Sequence, residues 1–104
     1  MDKALRALAD GTRRQILALV WRNERTAGEI ASEFAMTRPA ISQHLTVLRE
    51  SELVSVRSAG VRRYYRANRR AIAQLRAELG AFWDDSLAEL KNAAEAAERK
   101  GKRQ

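Results

Sequence analysis

The apolar spacing of this chain changes period at Leu53 and changes back near Asn68. Before Leu53 the apolar residues recur three and four apart, the spacing of one helix face. Val54-Ser55-Val56-Arg57 then alternates, Ser58-Ala59-Gly60 has the composition of a turn, and Val61 to Ala67 is rich in Tyr and Val. A period of two belongs to strands, so this stretch predicts a β-hairpin. Helical spacing returns from Arg69, with Ile72, Leu75, Leu79, Phe82, Trp83, Leu87 and Leu90. The expected architecture is mainly α with one small hairpin, in the order α-α-α-α-β-β-α.

Local signals divide the first half into short helices. Leu5 and Leu8 mark a first helix that ends near Asp10-Gly11. Asp10 or Thr12 caps a second, whose apolar side is Ile16, Leu17, Leu19 and Val20 and which stops near Asn23. Thr26-Ala27-Gly28-Glu29 is a capping box, in which hydroxyl and carboxylate each satisfy a free backbone N–H. Ile30, Ala31 and Phe34 give the third helix its buried side. Ala35-Met36-Thr37 is a tight break, with Thr37 capping a fourth helix and Pro39 tolerated in its first turn. Steps of about 100° per residue put Ile41, Leu45 and Leu48 on one face of that helix, and Pro39, Ser42, Gln43 and Thr46 opposite. A solvent face of small and amide side chains, lacking the usual Lys and Glu, suits close approach to another molecule.

The 104 residues suffice for one domain with a modest core. We expect that domain to span residues 1–95, with a charged flexible tail over 96–104. Lys and Arg number 20 against 13 Asp and Glu, a formal charge of +7. The densest excess is Arg57, Arg62, Arg63 and Arg66, with no acid among residues 53–66. Such a patch favours a polyanion. The absence of cysteine excludes disulfides, thiolate metal sites and thiol redox sensing. No apolar stretch approaches the ~20 residues of a membrane span. Met1-Asp2-Lys3-Ala4-Leu5-Arg6 lacks the layout of a signal peptide, so a cytoplasmic protein without membrane contact is expected.

Two short helices joined by a tight break (residues 26–50), followed by an arginine-rich hairpin (54–67), is the layout of a winged helix-turn-helix. The chain resembles the ArsR/SmtB-type bacterial repressors in four ordered segments. These are Ala7-Leu8-Ala9-Asp10-Gly11-Thr12-Arg13-Arg14-Gln15-Ile16-Leu17, Ala40-Ile41-Ser42-Gln43-His44-Leu45-Thr46-Val47-Leu48-Arg49, Gly60-Val61-Arg62-Arg63-Tyr64-Tyr65-Arg66 and Phe82-Trp83-Asp84-Asp85-Ser86-Leu87. The last is similar to a stretch in members without metal sites, and the match covers roughly residues 4–92.

The resemblance implies a transcriptional regulator, more often a repressor, that binds double-stranded DNA at a two-fold symmetric operator as a homodimer. It places the helix of residues 38–50 in the major groove and the hairpin along the backbone or in the minor groove. The DNA-contact candidates are then Thr37, Arg38, Pro39, Ser42, Gln43 and Thr46 on the helix, with Arg57, Arg62 and Arg63 on the wing. Gln43 is the foremost base reader, since its amide matches adenine N6 and N7; the arginines suit phosphate. On a strand, residues 62 and 64 face one way and 63 and 65 the other, so not every arginine can face DNA. The resemblance also implies dimerisation through the first and last helices. Leu5, Leu8, Leu75, Leu79, Phe82, Trp83, Leu87 and Leu90 are the candidate interface. Gly80 fits close approach of a partner helix.

Departures from the family matter equally. Thiolate-sensing members carry Cys-x-Cys on the third helix, where this chain has Glu29-Ile30-Ala31-Ser32-Glu33-Phe34. Others pair Asp with His on the last helix; here Asp84 and Asp85 stand without histidine and point about 100° apart. No metal site and no cofactor are therefore expected, and an effector ligand of unknown identity stays open. His44, beside the core face, is expected to be partly buried and hydrogen-bonded, with a phosphate contact as the alternative. Of Arg13 and Arg14, one is expected to pair structurally and the other to reach phosphate. A winged-helix module that binds an acidic protein is the rival reading; an enzyme lacks any paired catalytic groups.

Overall fold

The computed structural model describes residues 1–102, whose elements follow in the order α1 Asp2–Leu8, α2 Gly11–Leu19, β1 Arg25–Thr26, α3 Ala27–Ala31, α4 Arg38–Glu50, β2 Val54–Ala59, β3 Arg62–Ala67 and α5 Arg69–Lys102. The caps fall where the sequence places them. The Asp10 carboxylate accepts the Arg13 N–H at 3.0 Å, and the Thr37 hydroxyl accepts that of Ala40 at 3.3 Å. Thr26 and Glu29 close the capping box, with Glu29 N–H on the Thr26 hydroxyl at 3.2 Å and Thr26 N–H on the Glu29 carboxylate at 3.3 Å.

One element was not anticipated. Arg25 and Thr26 form a two-residue strand that pairs with β3, so the sheet is three-stranded and antiparallel in the order β1-β3-β2. Thr26 thus both pairs opposite Tyr64 and caps α3, which ties the start of the helix-turn-helix to the wing. The hairpin turn also sits one to two residues later than expected. Ala59 pairs with Arg62, leaving Gly60 and Val61 as the loop, and Gly60 takes the positive φ of 63° that a two-residue turn with glycine first requires.

The exit from α4 is a Schellman closure without its usual glycine. Leu53 N–H reaches Leu48 C=O at 2.9 Å and Glu52 N–H reaches Arg49 C=O at 3.0 Å, with Glu52 held at φ 61°. Leu48 and Leu53, the apolar pair of that motif, are both buried, and their packing holds Glu52 in a conformation that side chains ordinarily avoid. The closure fixes where the wing departs from α4.

Two compact units result, residues 1–73 and the chain from 74 onward. In the first, Ala7, Ile16, Leu17, Val20, Ile30, Ile41, Leu45, Leu48, Leu53, Val54 and Ala67 form a single buried cluster. The expected α4 face of Ile41, Leu45 and Leu48 is wholly inside it, which leaves the opposite face of the helix to solvent. In the second unit α5 continues as helix to Lys102, past the boundary at 95 where the sequence reading begins a flexible tail. Arg103 and Gln104, the end of that expected tail, lie outside the described residues.

Candidate nucleic-acid interface

The exposed face of α4 is assembled by its own cap and by the turn before it. Thr37, Arg38, Pro39, Ser42, Gln43 and Thr46 are all exposed. The Thr46 hydroxyl donates to Ser42 C=O at 2.9 Å, so its hydrogen is engaged within the helix and its methyl and oxygen lone pair face outward. Arg38 leans back over α3, where a Cβ at Gly28 would stand 3.4 Å from its Nη1. Glycine at position 28 gives that guanidinium its room.

Two clefts separate α4 from the wing. The larger, about 740 Å³, has Arg38 and Ser42 on one side and Arg62, Arg63 and Tyr65 on the other. The smaller, about 410 Å³, has Thr46 and Arg49 facing Arg63 and Tyr65. Arg63 borders both. Four arginines therefore line the clefts beside the uncharged helix face, with Glu29 in the larger and Glu50 in the smaller, and among the described residues none of Arg38, Arg49, Arg62 and Arg63 has an acidic partner within 4.0 Å. Arg49 was not among the residues selected from sequence. It stands three residues after Thr46, the helical spacing that would have placed it on this side. Gln43 lines neither cleft and projects from α4 into solvent.

The expected four-arginine patch is divided by the sheet. Arg57 pairs across from Tyr64, and Ser58 across from Arg63, so Arg57 and Arg63 lie on opposite faces. On its face Arg57 donates from Nε to Glu24 Oε2 at 3.1 Å and from Nη2 to Glu24 Oε1, while its guanidinium stacks 4.7 Å from the Tyr64 ring centre. The hydrogen bonds from Arg57 hold the Glu24 carboxyl below its ordinary range, and the same bonds raise Arg57 above its own. Glu24 gave no signal in the sequence because it lies 33 residues from its partner.

Arg13 and Arg14 both hydrogen-bond to the end of α1. Arg13 donates to Ala7 C=O at 2.7 Å and Arg6 C=O at 3.2 Å, and Arg14 to Leu8 C=O at 2.6 Å, satisfying the last carbonyls of α1. The Arg13 backbone N–H, with its charge second, keeps Asp10 below its ordinary pKa. Arg13 Nη1 also lies 3.3 Å from His44 Nδ1. Arginine is donor-only, so His44 accepts there and its half-buried ring braces α4 against the α1–α2 corner. Among the described residues no three His, Cys, Asp or Glu side chains cluster in a way that could hold a metal ion, and no helix is long and apolar enough to cross a membrane.

The residues selected for self-association divide by exposure. Phe82, Trp83, Leu87 and Leu90 are 61%, 62%, 46% and 66% exposed, whereas Leu79 is half-buried and Leu75 buried. Leu5 and Leu8 are half-buried, and Leu8 packs on the core of the first unit.

A capped helix pair with a bare second helix, flanked by an antiparallel wing, defines a winged helix-turn-helix. Residues 10–56 match the family described as bacterial regulatory protein, arsR family. The HTH-type transcriptional regulator Rv2034 of Mycobacterium tuberculosis is 44% identical over 86 residues, which cover 83% of this chain and 80% of that protein. The transcriptional repressor SdpR of Bacillus subtilis is 40% identical over 68 residues, 65% of this chain and 76% of that one. The homodimeric winged helix-turn-helix DNA-binding domain of Mb0332 from Mycobacterium bovis superposes with a TM-score of 0.65 at 34% identity, over 81% of this chain and 78% of that domain. The chain belongs to the arsR family of bacterial regulatory proteins.

Proposed function

We propose that this protein is a transcriptional repressor that binds a two-fold symmetric duplex site as a homodimer, inserting α4 into the major groove. The observation that carries this is the exposed face of Ser42, Gln43 and Thr46, uncharged and ringed by Arg38, Arg49, Arg62 and Arg63. Small polar side chains let the helix approach base edges, and unpaired guanidinium groups at its sides meet the two phosphate backbones. Gln43, projecting clear of both clefts, reads a base. Arg38, Arg62 and Arg63 hold the register on phosphate, helped by the Thr37 cap and Pro39 that set how the helix enters. Arg57 contributes by stiffening the wing. Repression is the activity that the name of the B. subtilis relative states.

The exposed stripe Phe82, Trp83, Leu87 and Leu90, with Leu75 and Leu79 earlier on the same helix, supplies the dimer contact from α5, and Leu5 and Leu8 supply that from α1. A large apolar patch on a helix calls for a partner, and a symmetric dimer matches a palindromic site. Such a regulator works in the cytoplasm, where its DNA is, and needs neither cofactor nor catalysis. Selecting bound sequences from a random duplex pool tests the reading. The expected result is a motif with two-fold symmetry and half-sites about one helical turn apart. A pool that returns no enriched motif, together with no duplex binding at low salt, would instead favour a winged module for an acidic protein.

A further inference from the structure

We infer that Arg13 is the positioning residue that ties α4 to α1 through His44, and that this tie sets the separation of the two half-sites a dimer can read. This rests on the DNA-binding and dimer reading above and assigns one part of it, the tolerance for spacing, to a side chain inside the first unit.

All three nitrogens of the Arg13 guanidinium are engaged, each by a different group. Nε donates to Ala7 C=O at 2.7 Å, Nη2 to Arg6 C=O at 3.2 Å and Nη1 to His44 Nδ1 at 3.3 Å. The first two acceptors belong to the last turn of α1, and the third to the middle of α4. Asp10 Oδ2 lies 3.9 Å from Nη1, while Asp10 Oδ1 accepts the Arg13 N–H and caps α2. The half-buried guanidinium therefore keeps both its hydrogen bonds and its counter-charge. Its planar fork holds two carbonyls and an imidazole at fixed angles, which a lysine with its single nitrogen cannot do.

The other contacts that hold α4 are less directional. Its inner face of Ile41, Leu45 and Leu48 is apolar, and apolar burial favours closeness without specifying a hydrogen-bond direction. A second polar tie to α1 runs from Ser51 Oγ to Lys3 C=O at 3.4 Å, but the one hydrogen of that hydroxyl has Val47 C=O nearer, at 2.7 Å. Arg13 is thus the stronger polar link between α1 and α4 among the described residues. In the reading above α1 belongs to the dimer contact and α4 to the DNA groove. The span between the two α4 helices of a dimer then depends on the dimer contact and on how each α4 is held to its own α1. A link that fixes the second of these fixes the half-site spacing. Loosening it lets each α4 adjust by itself, which relaxes spacing without changing what one α4 reads.

The test uses the two-fold site that the unaltered chain selects from a random duplex pool, the same site with one base pair added or removed at its centre, and a single half-site. His44→Asn keeps a side-chain oxygen that can accept from Arg13, His44→Leu removes the acceptor, and Arg13→Lys removes the fork; circular dichroism verifies folding. The unaltered chain and His44→Asn should each lose about tenfold or more in affinity when the spacing changes by one base pair. His44→Leu and Arg13→Lys should lose no more than about threefold on that change, with half-site affinity within about twofold of the unaltered chain. If Arg13→Lys loses its fold, the two His44 variants carry the test. A spacing preference that persists in His44→Leu would overturn the inference, and so would its loss in His44→Asn. Equal weakening on half-site and full site in both His44 variants would also overturn it, by making His44 a direct DNA contact. A selection that returns no two-fold site from the unaltered chain would instead remove the dimer reading, and this inference with it.

Discussion

The two faces of the wing carry the same residue types and put them to opposite uses. Toward α4 the sheet presents Arg63 and Tyr65; Arg63 borders both clefts, and although Glu29 lines one and Glu50 the other, no carboxylate lies within 4.0 Å of its guanidinium among the described residues. On the reverse face it presents Arg57 and Tyr64, where Glu24 receives two hydrogen bonds from the guanidinium and the Tyr64 ring lies beneath it. The first arrangement leaves a cation that an incoming phosphate can neutralise. The second has already neutralised Arg57 within the chain, while Arg62 and Arg66, which alternate onto the same face, have no acid within 4.0 Å among the described residues. Counting arginines along a strand therefore overstates the anion-binding capacity of a wing; the carboxylates brought close by the fold decide which of them remain available. Glu24, from the segment between α2 and β1, makes that division here.

The largest expected effect comes from the wing arginines that no carboxylate engages among the described residues, Arg63 on the face toward α4 and Arg62 on the opposite one. Replacing Arg62 and Arg63 by alanine together should weaken every duplex sequence alike. Each lost charge-assisted contact is worth about 1.5–3 kcal/mol, so affinity should fall about tenfold or more per arginine. The slope of log affinity against log salt should become shallower by about 1.8, near 0.9 per phosphate released. Arg57→Ala should leave that slope unchanged. A salt titration in which Arg57→Ala flattens the slope as much as the double variant would erase the distinction between the engaged and the unengaged arginines. Next in size is Gln43→Ala, which should cost about 1–3 kcal/mol at a single base pair of the selected site and nothing on unrelated duplex. Binding measured against a set of single-base variants checks it. Uniform loss across the set would make Gln43 another backbone contact.

How much of this was legible in the sequence follows the range of each interaction. The Thr26–Glu29 box, the Thr37 cap with Pro39, and the buried face of Ile41, Leu45 and Leu48 all depend on neighbours within one or two turns, and each stands where the pattern put it. Strand β1 was invisible because two residues cannot show alternation and because its pairing partner is forty residues away at Tyr65. The Glu52 closure was hidden because its usual marker is glycine, and here the burial of Leu48 and Leu53 substitutes for it. Strand alternation did warn that the wing arginines would divide between faces. It could not say that Glu24 would claim one of them. The partners of Arg13 and Arg14 were hidden for the same reason, since the carbonyls they meet at the end of α1 become apparent only once α1 and α2 turn against each other.

The smallest effect follows from the engaged face and appears only in acid. The Glu24 pKa is lowered from an ordinary value of 4.5, chiefly by the hydrogen bonds from Arg57. A depressed carboxylate contributes stability that is fully present above its unfolded pKa and is lost as pH falls through its folded one. The clamp should therefore be intact at neutral pH and weaken below about 4.5. Asp10, lowered from 3.8 chiefly by the Arg13 N–H, should act in the same direction slightly further into acid. Both carboxylates are only partly shielded from solvent, so each contribution is small. Glu24→Gln removes the titration of one and keeps the shape of the side chain. In urea titrations repeated from neutral pH downward, the unaltered chain should lose more stability over the acid limb than Glu24→Gln does, while Asp10 keeps some pH dependence in both. Identical acid limbs would mean that Arg57 and Glu24 are not coupled in solution. Arg57 would then be as available to phosphate as Arg63, and the two faces of the wing would be equivalent.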